Sequence, residues 1–122
     1  MRLIKITNIS NQSAHPLHLG ICDDFFSRLQ GLMFTSSIPI DGGLFFINSS
    51  EDRINSAIHM WFMNYDLSIF WADNSGIIVD KVIACKWKTL AAPKQNAKYI
   101  LETHIDRFDE YNCGDKLDFQ YD

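Results

Sequence analysis

Residues 57–71 read AIHMWFMNYDLSIFW, a run of large apolar and aromatic side chains with a single histidine in it. At a period of two, His59, Trp61 and Met63 share one face, and Ile58, Met60 and Phe62 share the other. A strand apolar on both sides has to be covered on both sides. The fold must therefore place this segment inside a layered or closed β-structure. A titratable ring in such a strand is costly unless it is hydrogen-bonded or faces a pocket. His59 is for that reason the first candidate functional residue.

The remaining chain is punctuated like a series of short strands. Leu17, Leu19 and Ile21 alternate with His18, Gly20 and Cys22. Together with residues 2–9, and with residues 11–13 as the turn, they predict an opening hairpin. Gly42-Gly43 introduces an apolar strand at residues 44–47, and residues 73–76 form a turn before a strand at 77–84. Residues 97–103 and 117–121 are further strands, the last with Leu117, Phe119 and Tyr121 alternating with polar neighbours. Residues 86–96 are the longest stretch without a strand pattern. The period changes once, at residues 23–30, where Phe25, Phe26 and Leu29 fall on one helical stripe behind Asp23 and Asp24, with Gly31 to end it. The expectation is a mainly β, single domain over residues 1–122. It is a compact sandwich or jelly-roll-like sheet, or a barrel-like one, with one short helix near residues 23–31.

Composition limits the function. The formal charge of −4 comes with no lysine or arginine cluster, which excludes a phosphate-binding surface and with it nucleic acid as a partner. The acids crowd towards the end, at Asp106, Asp109, Glu110, Asp115, Asp118 and Asp122, and read as a solvated rim. Cys22, Cys85 and Cys113 are odd in number and lack CxxC spacing. Free thiols in a reducing cytoplasm are expected, and neither a metal nor a cofactor is called for. Residues 1–8 lack the apolar run of a signal peptide, and no apolar run is long enough to span a membrane.

Strong catalytic motifs are absent, so a site has to be assembled from scattered residues. His59 serves either as a pocket-lining base or ligand, or as a core histidine bonded to a carbonyl, and the core role weighs more for the residue alone. Asp66 or Ser68, just downstream, would orient its imidazole if the two segments pair. Arg28 suits the end of the helix by its charge, and its five donors also suit anion binding. Trp87, between Lys86 and Lys88 in an irregular loop, suits a lid or stacking platform as well as a loop anchor. Glu102 in residues 99–103 either balances Arg28 or His59 inside or points outward; the outward reading is preferred. Cys85 beside Lys86 reads as an inert thiol.

Taken together, several of these pieces resemble the domain of unknown function 192 family, a conserved prokaryotic group. Arg28-Leu29-Gln30-Gly31-Leu32-Met33 is similar to its RxxGLM signature, and Gly42-Gly43-Leu44-Phe45-Phe46 to its glycine-led strand. Residues 59–73 resemble its H-x-F-x-M…D-x-x-F-x-D stretch, and Tyr99-Ile100-Leu101-Glu102 and Gly114-Asp115 its closing elements. The resemblance spans residues 15–119 and implies a compact β-rich fold with a short helix, and no activity. Two departures stand out. The family's Pro-Ile-Asp is Asp66-Leu67-Ser68 here, and the proline before its loop tryptophan is Lys86.

The favoured function is a small-molecule binding module with an aromatic-lined site of His59, Arg28, Trp87, Met63 and Asp66. A hydrolase-like enzyme using His59 with Asp66 or Ser68 is one alternative, and a protein-interaction domain without pocket chemistry is another.

Overall fold

The computed structural model describes residues 2–22, 32, 35–53, 56–60 and 62–121. The helix expected near residues 23–31, with Arg28 on it, lies outside these residues. Nine strands are present among them: β1 (Leu3–Asn8), β2 (Leu17–Cys22), β3 (Gly43–Asp52), β4 (Ile58–His59), β5 (Leu67–Ala72), β6 (Ile78–Ala84), β7 (Leu90–Ala91), β8 (Ala97–His104) and β9 (Leu117–Tyr121). Seven form one sheet in the order β6-β5-β8-β3-β2-β1-β9, and β4 pairs with β7 as a separate two-stranded ribbon. The mainly β reading holds. A 3-10 helix, Ile105–Glu110, follows β8.

The opening hairpin forms as expected, with Ile4 opposite Leu19 and Ile6 opposite Leu17. β2 and β3 run parallel, which requires the crossover of residues 23–42 between them. Every other strand pair is antiparallel. The two edges of the sheet meet through an antiparallel bridge between Ile77 and Lys116. Main-chain bonds from Leu117 N–H to Gly76 O (2.9 Å) and from Gly114 N–H to Ile78 O (2.8 Å) close the same junction. The sheet is thereby curled into a half-barrel.

Alternation sends side chains to two cores. Ile4, Ile6, Leu17, Leu19, Phe45, Phe70 and Leu101 form one, together with Ile78 and Leu117 from the two edges, so it fills the inside of the curl. Leu44, Phe46, Leu67, Ile69, Trp71 and Ile100 face the other way. They are covered by Ile58, Met60 and Met63 from the ribbon and the turn after it. β5 is buried at all six positions because it sits between the two cores. Each large side chain fully removed from water there contributes about 1.5–3 kcal/mol. The indole of Trp71 donates to Ser56 O at 2.7 Å, and Ser56 Oγ donates in turn to Ala97 O at 3.1 Å, which fastens the covering chain to the sheet.

The strand read through residues 57–63 stops at His59. Main-chain bonds to the 87–89 loop take both polar groups of Met60: its N–H donates to Thr89 O (3.0 Å), and its carbonyl accepts from Trp87 N–H (2.7 Å). The chain then turns, with Met63 N–H bonded to Met60 O (3.3 Å) and Phe62 at φ 63°. His59 and Met63 consequently share no strand face.

Gly43 opens β3 at φ 138°, directly against β8; a Cβ there would lie 2.0 Å from Glu102 O. Gly43→Ala is therefore expected to lower stability by about 3 kcal/mol or more, since both the backbone conformation and the strand spacing forbid it. Urea denaturation measures the loss; a change under about 1 kcal/mol, the usual scatter of harmless substitutions, contradicts this packing.

Candidate functional site

On β8, Ile100, Glu102 and His104 lie on one face of the sheet, and Tyr99, Leu101 and Thr103 on the other. Glu102 therefore points inward, against the preferred outward reading. It stands opposite Leu44 on β3 and Ile69 on β5, both apolar. Only 9% of its surface is exposed, and burial pushes its carboxyl up to about 7. Among the described residues, no hydrogen bond or ion pair offsets that burial.

The other polar residues of the central strands are satisfied differently. Ser68 is buried on the opposite face and donates to Ile105 O at 3.0 Å, while Thr103 Oγ1 donates to Ser68 O at 3.1 Å. Ser68 is therefore turned away from the ribbon that carries His59, and it cannot orient that imidazole.

A groove of about 250 Å³ opens between the 36–38 segment on one side and Tyr65, Asp66, His104 and Ile105 on the other. Strand pairing builds it: Leu67 is opposite His104, which places Tyr65 and Asp66 alongside the end of β8. Thr35 Oγ1 donates to Leu32 O (2.7 Å), so the Tyr65 hydroxyl, 2.6 Å away, donates to Thr35. Asn64 Nδ2 holds Thr35 O at 2.7 Å and fixes the same segment. Burial raises the Tyr65 hydroxyl above its usual range, the bond with Thr35 opposes this, and the charge of Glu102 adds to it. His104 Nδ1 accepts from Asp106 N–H at 3.0 Å, which leaves the proton of the neutral ring on Nε2.

The residues expected in the site fall into three groups. Asp66 lines the groove, and its Oδ1 accepts from Lys86 N–H at 2.8 Å, tying the groove to the loop that carries Trp87. His59 and Trp87 lie to the ribbon side, His59 paired with Leu90 and half-buried with its Nδ1 out of solvent. Trp87 is 54% exposed at φ 66° and packs edge-on against Phe62, with ring centres 5.0 Å apart. Met63 is buried in the outer core. Arg28 lies outside the described residues.

Tyr65 and His104 were missed in the sequence because neither belongs to a recognisable motif. Arg107 was also missed. It is 2% exposed and bridges Glu110, Ile40 O and His15 O, so one stretch of the apparent acidic rim is a buried clamp. A second hollow, of about 360 Å³, lies beside that clamp. Its arginine is already committed to those partners, and His18 and Asp41 on its wall approach to 3.7 Å. No metal-binding cluster occurs among the described residues.

Comparison with known proteins places this architecture among relatives. The family profile described as Uncharacterized ACR (DUF192) matches residues 6–119. A UPF0127 protein of Thermococcus sibiricus is 39% identical over 102 residues, covering 82% of this chain and 64% of the relative. One from Thermococcus gammatolerans is 35% identical, over 70% of this chain and 54% of the relative. The chain thus spans about half to two thirds of the length of these relatives. A crystal structure from Novosphingobium aromaticivorans, of a protein of unknown function, superposes with a TM-score of 0.77 at 15% identity, covering 95% of this chain and 83% of that one. A Sinorhizobium meliloti structure, provisionally described as a transcription regulator, gives 0.76 at 22% identity over 97% and 92%. At such identities the likeness is one of fold.

The raised carboxyl of Glu102 has a thermodynamic consequence. Below its ordinary value of 4.5 the folded and unfolded chains both carry the proton; between there and about 7 only the folded chain keeps it. Stability therefore falls as pH rises through that window, by about 3 kcal/mol from this group, and no further above it. Glu102→Gln removes the effect. Relative to the parent, the variant is expected to gain about 2–3 kcal/mol between pH 4.5 and 8, as read by denaturant melts. Parallel pH profiles for the two proteins contradict the burial of this acid.

Proposed function

The chain belongs to the DUF192 family, and we propose that it works as a small-molecule binding module whose ligand lies in the groove of Tyr65, Asp66 and His104. The observation that carries this reading is Glu102, a carboxyl group held in the outer core with no partner among the described residues, two positions before the groove-lining His104 on the same face of β8. Folded proteins seldom retain such a group without a use for it. The groove combines apolar walls with a few convergent polar groups, as ligand sites do. Asp66 keeps its place in this site. Lys86 N–H on Asp66 Oδ1 joins the groove wall to the loop that carries Trp87. No helix among the described residues is long and apolar enough to cross a membrane. The exposed thiols of Cys85 and Cys113 suit a reducing cytoplasm.

A second reading, a face for a protein partner, is favoured by one observation. Phe62, Trp87 and Leu90 are 44%, 54% and 71% exposed, and the first two hold left-handed backbone conformations that aromatic residues rarely adopt.

A thermal-shift screen of the purified chain against neutral, cationic and anionic metabolites separates the two. A groove ligand at a hundredfold excess over its Kd adds about 2.7 kcal/mol of stability. The shift is expected to vanish in His104→Ala, to weaken in Tyr65→Phe and to persist in Trp87→Ala. Hits lost only in Trp87→Ala would move the site to the ribbon.

A further inference from the structure

The exposed aromatic end of the ribbon has a geometry and a charge of its own. β4 and β7 are antiparallel, so the residues that follow β4 and those that precede β7 lie at the same end. There the chain from Cys85 to Thr89 makes a tight turn, with Lys88 N–H and Thr89 N–H both donating to Cys85 O at 3.2 Å. Met60 fastens that turn through Trp87 N–H (2.7 Å) and Thr89 O (3.0 Å). Phe62 and Trp87 are thereby held with ring centres 5.0 Å apart, each in the left-handed region. Leu90 begins β7 opposite His59 and is 71% exposed. Strained backbone of this kind clusters at functional surfaces.

Charge and size narrow what such an end can meet. Residues 57–63 and 85–92, which build it, contain no Asp or Glu, and they place Lys86 and Lys88 on either side of Trp87. Both lysines are exposed, and neither enters an ion pair among the described residues. Asp66 reaches the turn, but it accepts from the main-chain N–H of Lys86 at 2.8 Å. Charges more than about 8 Å from a contact are largely screened at physiological ionic strength, so the local sign outweighs the chain's net charge. A fully covered aromatic side chain buries about 150–250 Å², so these three partly exposed ones offer on the order of 350 Å², under half of the roughly 800 Å² per partner in a stable protein interface. A second copy across a two-fold axis would also set these lysines against their own counterparts. A bilayer has neither drawback. Tryptophan favours the boundary between headgroups and acyl chains, and lysines beside it are drawn to anionic headgroups. Two lysines alone would not hold a nucleic-acid backbone, but burial of apolar side chains adds the second contribution that reversible membrane binding needs.

We propose that this end of the ribbon docks on an anionic lipid surface, with Phe62, Trp87 and Leu90 entering the headgroup–acyl boundary and Lys86 and Lys88 lying against the headgroups. The contact is with one leaflet and spans nothing. It goes beyond the groove reading and is independent of it, so either can fail without the other.

Cosedimentation of the full chain with two kinds of vesicle tests it, one of phosphatidylcholine and one of equal parts phosphatidylcholine and phosphatidylglycerol. Binding to the mixed vesicles is expected at about 0.1 M salt and release at about 1 M, where the screening length falls to roughly 3 Å. Replacing both lysines, Lys86→Ser with Lys88→Ser, is expected to weaken binding roughly thirtyfold. Trp87→Asn, which keeps a residue tolerant of the left-handed region, and Leu90→Ser, at an exposed position with no such constraint, are each expected to weaken it about tenfold or more. Lipids brominated on the acyl chain are expected to quench tryptophan fluorescence in the parent and not in Trp87→Asn. Absence of binding to the mixed vesicles overturns the proposal, whatever protein the patch then serves. Equal binding to both kinds of vesicle overturns the part given to the lysines. Binding undiminished in Trp87→Asn and Leu90→Ser, or binding without quenching, overturns insertion of this end.

Discussion

Burial of the central strands on both faces governs the rest of the structure. β5 is enclosed at every position, and β8 beside it carries Leu101 and Thr103 into one core and Ile100 and Glu102 into the other. A strand in that position admits a polar side chain only where some partner awaits it. Ser68 and Thr103 meet that condition through main-chain carbonyls within the sheet and at the start of the 3-10 helix. Among the described residues Glu102 has no such partner, and the difference separates scaffold from site. The groove lies at the end of β8 where the 3-10 helix begins, and residues 36–38 line its other side.

The outer core owes its cover to short, closely bonded pieces. The β4–β7 ribbon contributes two residues per strand, yet Met60 is fixed through both its amide and its carbonyl by the neighbouring loop. That clamp drives the next residues into a turn with Phe62 in the left-handed region, against Trp87 in the same conformation. Such backbone costs on the order of 1–3 kcal/mol per residue and persists only where surrounding contacts impose it. Asp66 joins this assembly to the groove by accepting from Lys86 N–H.

Much of this was legible from alternation and turns. The hairpin of β1 and β2, the glycine-led start of β3, and the runs of β8 and β9 follow from apolar spacing bounded by Asn, Asp and Gly. Residues 57–63 misled for a physical reason: their pattern is that of a strand, while the turn at Phe62 carries none of the residues that normally signal one. The direction of Glu102 was illegible because both faces of its strand are buried, so alternation names no outside. Tyr65 and His104 come together only through the pairing of β5 with β8, a contact between residues 39 positions apart in sequence that no local pattern records. Arg107 was hidden by its acidic neighbours, although Glu110 three residues on is the spacing of a helical ion pair.

The central claim is that Glu102 sits as a buried carboxyl in a low-dielectric place, with no partner among the described residues. Carbon-13 labelling of the glutamate side chains, with the Glu102 signal assigned by its absence in Glu102→Gln, lets its ionisation be followed across pH. The structure predicts a midpoint near 7 for this residue, set by its burial. A midpoint at the ordinary glutamate position, near 4.5, would show a carboxyl in contact with water or with a cation of the chain, and the account of the site would fail with it.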